Sequence, residues 1–327
     1  MLQNLRIYKM KNSLLILLLL FSLCQAKAQK INHTSAFKDF DGDRYFRFSY
    51  DNDYFSSSDE NYTQGYNIEF VAPVFAKNPI NYLLFKNEGW ANKYGLSIEH
   101  IGYTPNKIGR PEIQYGDRPF ASAIMLKSFV ISTDTSSRSR ISTSLSLGAI
   151  GPLAFGKEMQ TAIHMAIDGT IPQGWRHQIN NDLVINYQLS HEKQVLMIDN
   201  LFELQTYASA NIGTLFTNAS AGITTLLGQF NSILNGNSKS KKFDCYLYSQ
   251  PVISFIGYDA TLQGGVFNDG PYTIEGDAVK RVTFQYNFGL VIKSEKLYME
   301  YSRTYITPEF KNGPTAGWGG IRIGVKF

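Results

Sequence analysis

The stretch 50–70, YDNDYFSSSDENYTQGYNIEF, begins and ends with aromatic and aliphatic residues at alternate positions, the pattern of a β-strand. Its middle is a polar knot of Asp51, Asn52, Asp53, Asp59, Glu60, Asn61 and Thr63. A turn between strands needs only a few polar residues, so this density points to chemistry. Carboxylates and carboxamides are oxygen donors that gather hard cations, and carboxylates also hold and release protons. A second constellation lies at 157–167, a run of helical composition between Gly156 and Gly169. There Gln160 and His164 stand four apart and share a face, beside an apolar stripe of Met159, Ile163 and Ile167. Histidine titrates near neutral pH, as a general base must. A lone helical histidine is more often structural than catalytic, and the carboxamide partner is what raises His164. Of the other histidines, His33 lies in an N-terminal stretch without pattern, and His100 falls in a strand. His177 and His191 have charged neighbours and read as solvated.

These residues need elements to position them. Arg6, Lys9 and Lys11 precede a largely apolar run at 14–23, followed by the small-x-small site Ala26-Lys27-Ala28. This is the layout of a secretory signal, 1–28, leaving residues 29–327 as one domain. Cys245 is then the one cysteine of the mature chain, which excludes an internal disulfide and a thiolate metal cluster. The net charge of +4 is too mild to imply a nucleic-acid partner. Charged residues make up 18%, below the usual level of about 25%, while 20 Tyr and 22 Phe are unusually many.

Period-two runs recur along the whole chain, among them Phe46/Phe48/Tyr50, Tyr66/Ile68/Phe70 and Val282/Phe284/Tyr286/Phe288. The chain ends GGIRIGVKF, with Ile321, Ile323, Val325 and Phe327 on one face, a terminal aromatic strand of the kind that closes outer-membrane barrels. Together these features predict an all-β, 12-stranded antiparallel transmembrane β-barrel carrying a short helix in a long extracellular loop, monomeric in the bacterial outer membrane. The expected strands are 44–52, 63–73, 93–103, 121–132, 140–148, 183–192, 197–209, 211–226, 244–258, 281–293, 296–306 and 317–327. With both termini in the periplasm, the connections 53–62, 104–120, 149–182, 210, 259–280 and 307–316 face outside. Two periplasmic connections, 74–92 and 227–243, are longer than this architecture favours.

Three polar clusters thereby share the extracellular rim: the opening stretch, YTPNKIGRPEIQYGDRPFAS at 103–122, and the loop 148–182. The combination of NDYF…NYTQG, YTP…DRPFAS, GPLAFGKEMQTAIH and PQGWRHQINN resembles the outer-membrane lipid A 3′-O-deacylase family, the LpxR family. Several motifs in order carry the resemblance, from Phe46 to about Asn186. It implies a Ca²⁺-dependent ester hydrolase of lipopolysaccharide, with its active site between the barrel wall and the loop helix. Carried over residue by residue, the site is Asn52, Asp53, Thr63, Gln160 and His164, with Lys107 at the family's lysine and Thr170, near Asp168, at its acidic position. In this reading His164 activates water, Asp53 and Asn52 hold calcium, and Gln160 and Thr63 orient groups by hydrogen bonds. Lys107 and Arg118, with Arg110 and Arg176, are placed to pair with lipid A phosphates. Asp51, Asp59 and Glu60 read as solvated or as partners of lipopolysaccharide cation bridges. The alternatives are an outer-membrane phospholipase, which needs a serine beside a histidine, and a pore or adhesin, which needs an open lumen and no focused site.

Overall fold

The computed structural model describes residues 33–53, 61–236, 242–268 and 270–327. The signal segment 1–28, Asp59 and Glu60 lie outside these residues, as does the side chain of Asn61. Twelve strands form one closed antiparallel barrel. They are β1 (Tyr45–Asn52), β2 (Asn61–Val71), β3 (Ala91–Thr104), β4 (Ala121–Asp134), β5 (Ser139–Ile150) and β6 (Asp182–Ile198). The circuit continues with β7 (Phe202–Gly213), β8 (Phe216–Gln229), β9 (Phe243–Asp259), β10 (Val282–Ser294), β11 (Leu297–Ile306) and β12 (Ala316–Lys326). Each strand pairs with its sequence neighbours, and β1 pairs with β12 from Tyr45↔Lys326 to Asn52↔Gly319 to close the circuit. Among the described residues no helix is long and apolar enough to cross a membrane. Any crossing of a membrane falls to the strands of the closed barrel.

Alternation decides which side each residue takes. Along β1, Tyr45, Arg47, Ser49 and Asp51 are buried in the lumen, while Phe46 and Phe48 point outward. The same parity leaves Ile98, Leu126, Leu147 and Ile185 exposed on the outer face. All twelve expected strands are present, with local shifts. β6 runs through the expected turn at 193–196, because a bulge between Gln194 and Leu196 absorbs the break in alternation. The chain turns instead at 199–201, where Asp199 takes φ 48°. β7 and β8 are joined by Thr214 and Leu215, not by residue 210. The loop helix, α1 (Gly156–Ala166), begins one residue earlier than expected, and a further short helix, α2 (Ala260–Gln263), follows β9.

The lumen is filled, not open. Residues 33–44 enter it from the periplasmic end. His33, expected in a stretch without pattern, is buried there, and its carbonyl accepts a hydrogen bond from Arg47 Nη2 at 2.9 Å. Asp39 pairs with Lys93 at 2.7 Å and Arg140 at 3.0 Å, and both carboxylate oxygens of Glu192 accept from the Ala36 amide. Burial pushes the Asp39 carboxyl up, and the two cations more than offset this, holding it below the ordinary carboxylate range. That contribution to docking is therefore complete at neutral pH and is lost only as pH falls through the depressed value. Phe37 and Phe40 pack among Tyr45, Tyr246, Tyr248 and Tyr298. Deeper in, Arg322 bridges Asp51 at 3.2 Å and Glu300 at 3.0 Å. At the extracellular end Tyr62, Tyr103, Trp318, Ile306 and Ala260 form an apolar lid.

Removing one partner of a buried ion pair leaves the other charge uncompensated, at a cost of about 3–5 kcal/mol. Arg322→Ala strands both Asp51 and Glu300 and is expected to lower barrel stability by that order. Urea unfolding followed by heat-modifiable gel migration measures it, and an unchanged midpoint contradicts the network's role.

Candidate active site

The candidate residues gather on the outer face of the wall, at the extracellular rim, where α1 lies against β2–β4. Helix α1 has the sequence GKEMQTAIHMA, rich in good helix formers, with Glu158 in its first turn, favourable to the helix dipole, and His164 in its last. Its buried residues are Gly156, Gln160 and His164, a single i, i+4, i+8 stripe facing the wall. Met159 and Ile163 are half-buried beside it, while Met165 and Ile167 are exposed.

Three contacts seat the loop on the wall. The Gly151 amide donates to the Ser122 carbonyl at 2.8 Å. His100, outward-facing on β3, donates from Nε2 to the Ala154 carbonyl at 2.9 Å, and its ring stacks on Tyr66. The carbonyl can only accept, which fixes the proton on Nε2. Gly156 completes the seating, since a Cβ there would stand 2.5 Å from both Cβ and Oγ of Ser122.

A continuous hydrogen-bonded chain then runs from loop to wall. Trp175 Nε1 donates to Gln160 Oε1 at 2.6 Å, and Gln160 Nε2 donates to Thr63 Oγ1 at 3.3 Å. Thr63 Oγ1 lies 2.6 Å from Thr104 Oγ1, and the Thr63 carbonyl accepts from Asn52 Nδ2 at 2.5 Å. An indole N–H donates only, so it dictates which end of the Gln160 amide is oxygen and turns the NH₂ toward Thr63. Thr63 reaches the helix because of a bulge. The register passes from Tyr62↔Tyr103 to Gln64↔Gly102, leaving Thr63 as the extra residue.

The structure thus joins Asn52, Thr63 and Gln160 by hydrogen bonds, with Asp53 next in chain to Asn52 and His164 one helical turn beyond Gln160. His164 is buried with its Nδ1 lacking a hydrogen-bond partner, and Gly169 backs that nitrogen so closely that a Cβ would stand 3.1 Å away. Asp168, at φ 53°, is exposed, as is Thr170. Lys107 is exposed on the loop 105–120, which borders the site's loop through the Gln173 amide and the Ile108 carbonyl at 2.9 Å. It lines an open cavity of about 530 Å³ together with Arg110, Glu112 and Asp117.

Arg118 is placed otherwise. It is buried within the mouth of the barrel, bonded to Glu309 at 3.0 Å and Thr261 at 3.1 Å and stacked 4.0 Å over the Tyr103 ring. Its charge is spent on the extracellular loops and does not face the α1 cleft. Asp51, likewise, is neither solvated nor at the rim surface: it points into the lumen and holds Arg322. Trp175 was the residue missed. It stands inside one of the motifs read from the sequence, but a tryptophan among loop residues carries no chemical mark of its partner.

The donors near the knot are of the kind a hard cation takes. Asp53, buried to 1% exposure, and Asn52 supply a carboxylate and an amide oxygen, and Asn52's nitrogen is already committed to Thr63 and to Tyr50 Oη at 3.2 Å. These are the oxygen ligands calcium takes. Among the described residues no group of three or more His, Cys, Asp or Glu could hold a metal, so further ligands on this chain would be carbonyls, amides or hydroxyls.

Barrel, apolar outer face and loop helix define an outer-membrane protein whose candidate polar residues are buried between the outside of its wall and the loop. The chain belongs to the family described as "Outer membrane protein LpxR", whose model matches residues 14–327. Among solved structures it is similar to LpxR from Salmonella typhimurium, with 20% identity and a TM-score of 0.71, over 86% of this chain and 100% of that one. The beta domain of the Bordetella autotransporter BrkA is a distant match, at 7% identity and TM-score 0.45 over 87% of this chain and 98% of that one. No curated protein matches.

Because α1 meets β4 through a glycine, Gly156→Val is expected to lift the helix while leaving strand pairing intact. Limited proteolysis should then cut within 151–181 at least several-fold faster than in the wild type, with heat-modifiable migration unchanged. Equal protection of the loop would show that the contact does not seat it.

Proposed function

We propose that this protein is a lipid A deacylase that hydrolyses the 3′-linked acyloxyacyl ester of lipopolysaccharide by Ca²⁺-assisted, His164-activated attack of water. One observation carries the reading. The hydrogen-bonded set Asn52–Thr63–Gln160–Trp175, with His164 beside it, lies on the outward face of the wall under a loop helix, not in the lumen. A lipid can enter such a cleft sideways from the outer leaflet, keeping its acyl chains in hydrocarbon. The family's outer-membrane description and the regiochemistry implied by the sequence motifs support the same substrate.

The residues divide the work. His164, with a ring nitrogen free of partners, takes a proton from water as the water oxygen bonds to the ester carbonyl carbon. The ester C–O bond then breaks, and the proton passes to the departing sugar hydroxyl. Gln160, held by Trp175, and Thr63, held by Gln160, fix the cleft's donors and acceptors in advance, which is where most of an electrostatic rate gain resides. Asp53 and Asn52 would hold calcium, which when bound would supply Lewis-acid polarisation of the ester carbonyl. Lys107, exposed on the adjoining loop, meets a phosphate of the substrate headgroup. The rival readings have less support. Ser122, on the wall beneath α1, donates to the Gly151 carbonyl at 3.3 Å, so no serine–histidine couple arises there. A filled lumen offers no route for a pore.

Mass spectrometry of lipid A from a host expressing the protein should show loss of one acyloxyacyl group. Loss of glycerophospholipid chains instead would favour the phospholipase, and an unchanged profile from inserted protein would overturn both. His164→Ala is expected to lower the rate at least about 10²-fold with the barrel intact.

Asp53→Ala should abolish hydrolysis, and calcium chelation of the wild type should mimic it and be reversed by added calcium. Asp51→Ala should instead register as lost barrel stability, because its partner is Arg322. A chelated enzyme that keeps full activity removes calcium from the scheme.

A further inference from the structure

The connection 72–90 between β2 and β3 leaves the periplasmic end of the barrel and is far longer than the turns at 135–138, 199–201 and 295–296. It folds back along the outside of the wall. The Ala72 amide donates to the Tyr94 carbonyl at 3.2 Å, and Asn78 Nδ2 donates to Ser128 Oγ at 3.2 Å. The Phe85 carbonyl accepts from Thr143 Oγ1 at 2.9 Å, and its amide donates to Tyr187 Oη at 3.0 Å. Ser128, Thr143 and Tyr187 have the outward parity of Leu126, Leu147 and Ile185 on the same three strands. Outward residues in this zone should be apolar. Here Ser128, Ser132 and Thr143 are polar and 3%, 0% and 1% exposed: the connection bonds to Ser128 and Thr143, and Ser132 donates to Asn92 on β3.

The height of this cover matters. Ser128 lies six residues from Asp134, the periplasmic end of β4. At about 3.3 Å per residue and a tilt of about 40°, that is about 15 Å above the periplasmic end of β4, in an architecture whose apolar band is about 25 Å tall. A non-strand segment at that depth must satisfy its own backbone. Much of this one's backbone is paired through two 3₁₀ turns, Pro73–Lys77 and Pro79–Tyr82, in which Asn81 Nδ2 donates to the Phe75 carbonyl and the Asn78 side chain accepts from the Ile80 amide. Its far side presents Val74, Tyr82, Leu83 and Phe85, exposed by 64, 91, 65 and 50%. That surface continues the exposed belt of Leu126, Leu147 and Ile185 on the wall above it. Lys77 and Lys86 are also exposed, and such stems snorkel toward anionic headgroups.

We propose that 73–86 is a re-entrant segment embedded in the periplasmic leaflet, its Val74–Tyr82–Leu83–Phe85 surface packed against phospholipid acyl chains. It takes the place of apolar side chains on β4 and β5 and keeps lipid off the polar patch of Ser128, Ser132 and Thr143. The occupant is lipid because the surface is continuous with the lipid-facing belt and is flanked by cations.

Site-directed spin labelling tests this in the full barrel, reconstituted into phosphatidylethanolamine–phosphatidylglycerol vesicles. Nitroxides are attached at Leu83→Cys and, separately, at Tyr82→Cys, with Cys245→Ser removing the other thiol of the mature chain. Leu126→Cys serves as the lipid-facing reference. The expected result is relaxation enhancement by oxygen over nickel(II)-EDDA in the same ratio as at 126, within about twofold. Dominant enhancement by the nickel complex would mean an aqueous segment and overturn the proposal. Exclusion of both reagents with dipolar broadening would mean a second copy on this face and overturn it equally. Tyr82 is almost fully exposed, so its label tests the proposal even if Leu83→Cys fails to fold.

Discussion

The rest of the structure depends on one requirement: within hydrocarbon, every backbone N–H and C=O must find a partner inside the protein. The β1–β12 pairing meets it by leaving the sheet without an edge. Closure forces a two-sided wall, apolar outside and polar within, and it creates an interior that must be filled or hydrated. Here it is filled. Arg47 with Glu69, Arg322 with Asp51 and Glu300, and Arg140 with Asp39 neutralise one another, and residues 33–44 bring the plug that occupies the periplasmic half. Such pairs are costly to desolvate and costly to break, so they hold the lumen in one arrangement more than they add stability.

The outer face of the wall also carries buried polar groups. Strands β3 to β5 show how. Their outward positions include His100, Thr104 and Ser122 near the extracellular end and Ser128, Ser132 and Thr143 lower down, all buried despite facing out. Each group lies under a segment that left the barrel and returned to it: the loop of α1 above, the connection 72–90 below. Between them remain exposed Leu126 and Leu147. Polar outward residues therefore mark where the wall is clothed. At the upper site the covering helix also adds Gln160 and His164 to the polar groups the wall supplies through Asn52 and the bulged Thr63.

Precision in that cleft comes from groups with one possible role. Trp175 can only donate and the Ala154 carbonyl can only accept, so the Gln160 amide and the His100 tautomer are fixed without further contacts. Two glycines, 156 and 169, let the helix touch the wall and let the chain pass behind His164. The site is thus held by rigid elements on one side and by a loop on the other.

Period-two alternation determined the barrel, the strand count and the location of the long loops from the sequence by itself, because lipid and lumen impose that period on every strand. The i, i+4 spacing likewise made the shared face of Gln160 and His164 legible, and the family motifs drew Asn52 and Thr63 to them. Alternation says which residues share a face, however, and not what lies against it. The sequence therefore could not tell that Asp51 turns inward to Arg322, that Arg118 is consumed by Glu309, or that His33 belongs to a luminal plug. Nor could it tell that a bulge turns Thr63 toward Gln160 or that Trp175 orients that amide. Those outcomes join residues 14 to 271 positions apart in the chain, and only the closed barrel brings them within hydrogen-bonding distance.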